Sequence, residues 1–278
     1  TLTSATAAIT LGAAVCGDSV TGNAGTTFDV NGAVTADVTS VSLTAGTNLT
    51  LNAAVLAATD VTLVATAGAL NLAAGGTVTG TAGTASLTSG TTLTVDDVVS
   101  AGTVTAVAGT DLDVNQTVTA TVAGVSLTAG NAAAGNLTAD AAVTGATTVA
   151  LVANNGGNLS NTAAVVGTAG AVTLTSATGT ITLCGTVTGD TVTGNAGTTF
   201  DVNQALTADN GGVSLTSGVT AAGDLLIDAA VNATTTVALI ANNGGNLATT
   251  QTVAGAGGAV TLTSATAAIT LGAAVCGD

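Results

Sequence analysis

The chain has 278 residues and contains no Lys, Arg, His, Pro, Met, Trp or Tyr, and its acidic residues are fifteen Asp, so the net charge is −15. Nothing here can neutralise phosphate, which excludes electrostatic binding of nucleic acid and of anionic membrane surfaces. Apolar residues are interleaved with Thr, Ser and Asn throughout, so no membrane-inserted helix is expected, and with only two Phe there is no aromatic girdle for a membrane barrel.

Taken in chain order, the sequence repeats on two scales. Residues 1–18, TLTSATAAITLGAAVCGD, return letter for letter as residues 261–278. The expected organisation is one long repeat over 1–260, with 261–278 the start of the next identical repeat in a tandem array. Inside the long repeat a shorter phrase recurs: Val41-Ser42-Leu43-Thr44-Ala45-Gly46, then Ala85 to Gly90, Val125 to Gly130 and Val213 to Gly218. Variants open at Val20, Val61, Val104, Val149, Val172, Val192, Val237 and Val260, with spacings of 19 to 24 residues, which makes twelve units in 260 residues.

Each unit reads as three short strands. In Val41 to Asp60, Val-Ser-Leu alternates, Gly46 punctuates, Leu49-Thr50-Leu51 alternates, Asn52 turns the chain, and Val55 opens a third run. Period-2 alternation marks strands with one buried face. Gly, Asn and Asp sit where the chain must turn. A unit of about 22 residues cannot bury its apolar face alone, and stacking neighbours resolves this. The fold class expected is therefore all-β: a three-sided parallel β-helix, or β-solenoid, of about twelve coils per 260-residue repeat. Phe28 and Phe200 fall at equivalent places in their units. One turn column reads Gly12, Asn31, Asn52, Ala73, Asp96, Asn115, Asp140, Thr162, Cys184, Asn203, Asp228, Thr250, and a hydroxyl-rich outward column runs from Thr1 and Thr21 to Ser214.

The VSLTAG and NLTLNAAV phrases, in units near twenty residues, resemble the repeat regions of filamentous-haemagglutinin-like giant bacterial surface proteins. That resemblance implies a right-handed parallel β-helix, export and a cell-surface location. The expected function is a structural repeat of an extracellular filament, stalk or sheath whose partner is itself, through tandem repeats and lateral association of rods. The alternatives are an adhesin stalk with a binding tip elsewhere and an ice-binding solenoid, the latter suggested by the pairs Thr77/Thr79, Thr103/Thr105, Thr117/Thr119, Thr186/Thr188 and Thr191/Thr193.

Catalytic chemistry is not expected. Without His or Lys there is no Ser-His-Asp, Cys-His or Schiff-base machinery. Asn154 to Asn158 and Asn242 to Asn246 read as turns. Sequons occur at Asn48, Asn115, Asn136, Asn158 and Asn232.

Two sets of residues are candidates for binding. Cys16 is expected to point outward in the third strand, in a column with Leu56, Val99 and Val166, and could link neighbouring rods. An intrachain bridge to Cys184 is excluded by a separation of about 38 Å over eight coils. Asp18 and Asp37 are expected to stack on adjacent coils, as are Asp190 and Asp209. Like charges about 5 Å apart repel by roughly 1 kcal/mol in water. Either solvent and salt screen each pair, or Ca2+ bridges it; no other cofactor is expected.

Overall fold

A computed structural model describes residues 1–278 and contains 37 strands and no helix. Strands come in threes: Val41–Ala45, Leu49–Leu51 and Val55–Ala57 make one turn. Each pairs in parallel with its counterpart one turn on, Val41 opposite Val61, Leu49 opposite Leu70 and Val55 opposite Val78. The second strands form a 13-stranded sheet. The first and third strands join into one 24-stranded sheet, because Val78–Ser89 and Val99–Ala108 run through the corner between the two stacks. The result is a three-sided β-solenoid of thirteen turns, as alternation and unit length predict.

The core follows from the alternation. In the first strand of a turn the inward residues are Val, Leu and Ala (Val41, Leu43, Ala45), all fully buried, with Ala where the chain bends towards the second strand. The second strand contributes two (Leu49, Leu51) and the third two (Val55, Ala57). Stacked, these columns form one continuous cluster of 66 buried residues. Burial falls in the first and last turns, where one side of the stack is uncovered.

Two turns have Gly at the central inward position of the first strand and fill the space internally. Gly22 and Gly194 replace the central Leu, and Phe28 and Phe200 replace the first Leu of the next strand. A Cβ at Gly22 would stand 2.5 Å from Phe28 Cε2, and one at Gly194 would stand 2.6 Å from Phe200 Cζ. Each ring therefore fills the space its own turn's missing Leu leaves.

Unit-length variation is absorbed at corners, and two of these corners match, four turns and 88 residues apart. Asn155 and Asn243 adopt φ of 52° and 51°, followed by Gly156 and Gly244 at 96° and 87°. The Asn side chains stabilise this left-handed backbone, their Nδ2 groups donating to Gly130 O and Gly218 O on the preceding turn.

One expectation is corrected. Val99 does not point outward: it is fully buried, paired between Val78 and Val118, and Ser100 takes the outward slot. Val98 and Val99 are adjacent, so alternation alone fits two phases, and a one-residue slip exchanges the faces. Stacking decides it: Val78 and Val118 on the neighbouring turns hold Val99 in the core.

Candidate functional site

The paired aspartates lie at the corner after the third strand. Cys16 is opposite Thr35 and Gly17 opposite Ala36, so Asp18 and Asp37 occupy the same position on adjacent turns. The Asp37 amide donates to Gly17 O at 3.0 Å. The Thr39 hydroxyl and amide both donate to Asp18 O, at 3.1 and 2.9 Å. Asp190 and Asp209 stack in the same way, with the Asp209 amide donating to Gly189 O at 2.9 Å. Here one carboxylate is already engaged: Asn210 Nδ2 donates to Asp190 Oδ1 at 2.6 Å. Neighbouring turns place Ala58, Thr121, Ala146 and Thr168 in this column, and no third Asp or Cys joins either pair. Each pair offers a cation two carboxylates and leaves the remaining oxygens to solvent.

The contact column divides. Cys16 and Leu56 are exposed and Val166 is half-buried, all on the third-strand face, with Val99 removed to the core. Leu56 borders a shallow open groove with Ala36, Asp37, Ala58 and Thr81. Cys184 is exposed in the turn column, its amide donating to Asn161 O, and Cys276 repeats Cys16 on the last turn. The Thr-x-Thr pairs do not share a face: Thr79, Thr119 and Thr188 are on the third-strand side and Thr105 and Thr193 on the first-strand side.

Most other Asn and Asp side chains are stitches between turns. The turn column bonds up the stack, Asn52 Nδ2 to Asn31 Oδ1 at 2.8 Å, Asn115 Nδ2 to Asp96 Oδ1 at 2.7 Å and Thr250 Oγ1 to Asp228 Oδ1 at 3.0 Å. A second column, immediately before the second strand, was not anticipated from the sequence. There Asn48, Asp111, Asn136, Asn158, Asp224 and Asn246 each accept, through Oδ1, a backbone N–H from the next turn. The signal was present as Asn or Asp preceding Leu-x-Leu-like triplets. These bonds satisfy corner amides that the parallel ladders leave unpaired. Four of the five sequon side chains are bonded in this way, Asn115 and Asn136 through Nδ2 and Asn48 and Asn158 through Oδ1 alone, while Asn232 is exposed on the third-strand face.

Asp113 is the one titrating group clearly displaced. It sits outward on Leu112–Val114, opposite Thr94 and Thr138. Partial burial raises its pKa above 3.8, and Asp111 adds to this; the Thr138 hydroxyl offsets it in part, while Asp140 and Asp96 raise it further. In the core, Asn161 and Thr249 point inward at equivalent positions 88 residues apart, where other turns place Leu, Val, Ile or Ala. Asn161 Nδ2 donates to Ala163 O at 2.8 Å, but Asn161 Oδ1 and Thr249 Oγ1 have no partner.

Comparison with protein-family models, curated proteins and solved structures returns no match to this chain.

Proposed function

We propose that the chain is a structural repeat of an extracellular filament, stalk or sheath, and that its polar residues serve the stack rather than a reaction. One observation carries the reading. The last turn, Val260–Ser264, Ile269–Leu271 and Val275–Gly277, repeats the sequence of the first and pairs onto the preceding turn in unbroken register. A stack with this property extends without a seam, each 260-residue repeat adding about 58 Å at the spacing of parallel strands. The resemblance to filamentous-haemagglutinin-like repeats supports a cell-surface location. So does the absence of Lys and Arg, which leaves trypsin-like proteases no site.

Electron microscopy of proteins carrying one, two and three 260-residue repeats tests this. Rods of constant width, lengthening by about 58 Å per repeat, are expected, and compact particles or a length independent of repeat number would refute it. A stalk that presents a binding tip gives the same rods, with binding that maps outside them.

A further inference from the structure

Charge is distributed unevenly around the rod. Three aspartates, Asp29, Asp113 and Asp201, point outward from the second strands, and the other twelve lie at corners. The first-strand face has none. Its strands are mostly five residues long, so each turn presents two outward side chains, against one on each of the other faces. The hydroxyl column is one of these. The other holds Thr44, Val64, Val107, Thr128, Val152 and Ile240 among its members, all half-buried, with Asn23 exposed near one end, so the surface is flat over most of its length.

We infer that this face is where a second copy of the chain packs, rod against rod. Two bodies of charge −15 without a single Lys or Arg can approach only where neither presents a carboxylate. The third-strand face is also uncharged, but it is narrower and interrupted by exposed Cys16, Leu56 and Asn232. The first-strand face measures about 58 Å by about 13 Å, roughly 750 Å² per partner. A standard stable interface takes about 800 Å² per partner. Flat ladders of β-branched side chains on two such faces interdigitate as stacked sheets do. Because the contact is uncharged while the rods repel at a distance, association strengthens as salt shortens the screening length.

The inference deepens the filament reading and rests on it. The test uses the full chain in sedimentation velocity and electron microscopy at low and high NaCl. Paired rods that become more abundant with salt are expected. Thr128→Asp and Val152→Asp on the first-strand face should each weaken pairing by about tenfold or more in Kd, while Thr144→Asp on the third-strand face leaves it unchanged. Should the aspartate variants misfold, Val64→Thr, Val152→Thr and Ile240→Thr keep the β-branched shape and should still weaken pairing.

Cross-linking is the independent arm. Thr128 lies on the seventh of thirteen turns, so in register it stands at the height of its own copy whether the rods pair parallel or antiparallel. With the three native cysteines changed to Ser, Thr128→Cys should be joined into a covalent dimer by a bifunctional thiol cross-linker that spans the roughly 10 Å between stacked sheets, and Thr144→Cys should not. The reverse pattern, or single rods at every salt concentration, overturns the proposed pairing and leaves the filament intact. Globular particles overturn both.

Discussion

The Gly–Phe pairs offer the sharpest test of how this core is built. Phe200 is fully buried in the tenth turn and occupies the volume above Gly194. Changing Phe200→Leu removes ring atoms that nothing else replaces, because Gly194 has no side chain to follow. The lost transfer energy and the residual cavity together cost about 2 kcal/mol. Gly194→Leu drives a side chain into the ring and towards Leu215 Cδ2, which a Cβ alone would approach to 3.0 Å. That overpacking costs about 3 kcal/mol, at the upper end of such insertions.

The double variant recreates the arrangement of the adjacent turns, Leu174 with Ile181 and Leu215 with Leu225. It should fall within about 1 kcal/mol of the parent, partly because Gly in a strand interior is itself unfavourable. The coupling between the two sites is then about 4 kcal/mol or more, above the usual range for touching residues. A solenoid opens in segments, so a local probe is needed. Hydrogen exchange of the 192–202 amides, read beside denaturant melting, supplies it. Additive single effects, or a harmless Gly194→Leu alone, would refute the complementarity. Gly22 and Phe28 provide an independent repeat of the same cycle.

Four further outcomes are expected. Asn158→Ala removes the acceptor for both the amide and the hydroxyl of Thr180, each at 2.9 Å; the loss should be about 1–2 kcal/mol, visible as faster exchange of the Thr180 amide with its neighbours unchanged. Thr249→Val deletes an unpartnered buried hydroxyl at nearly constant volume and should stabilise by about 1 kcal/mol, measured as a higher denaturation midpoint. Asp113 is held above its ordinary pKa, so the fold favours its protonated form: its stabilising contribution is complete below the unfolded value of 3.8 and is lost as pH rises through the folded value. The melting temperature should therefore climb on acidification towards that window, and Asp113→Asn should flatten the climb; an identical pH profile in the variant would contradict this. For the Asp18/Asp37 and Asp190/Asp209 pairs, equal concentrations of Ca2+ and Mg2+ should raise the melting temperature equally, as screening does, and a Ca2+-selective gain abolished by Asp37→Asn would instead place a bridging cation there.

What was legible in the chain by itself was everything that depends on neighbours along the strand. Alternation in Val41-Ser42-Leu43 and Leu49-Thr50-Leu51 is set by the pleat, and the Asn31, Asn52 and Asp96 turns by the backbone angles those residues tolerate. Together they determined a three-sided solenoid, its turn column and the stacking of Asp18 on Asp37. The structure decided whatever depends on contacts between strands or turns. Val99 is inward because its neighbours above and below are Val78 and Val118, not because of Val98 beside it. Phe28 is accommodated by Gly22, six residues earlier and on another strand. Asn136 and Asn158 are bound to amides one turn away, 22 residues on, a distance at which no local pattern announces a hydrogen bond. The uncharged first-strand face is likewise a property of the coil, which gathers first strands from thirteen turns onto one side and leaves the carboxylates on the second-strand face and at the corners.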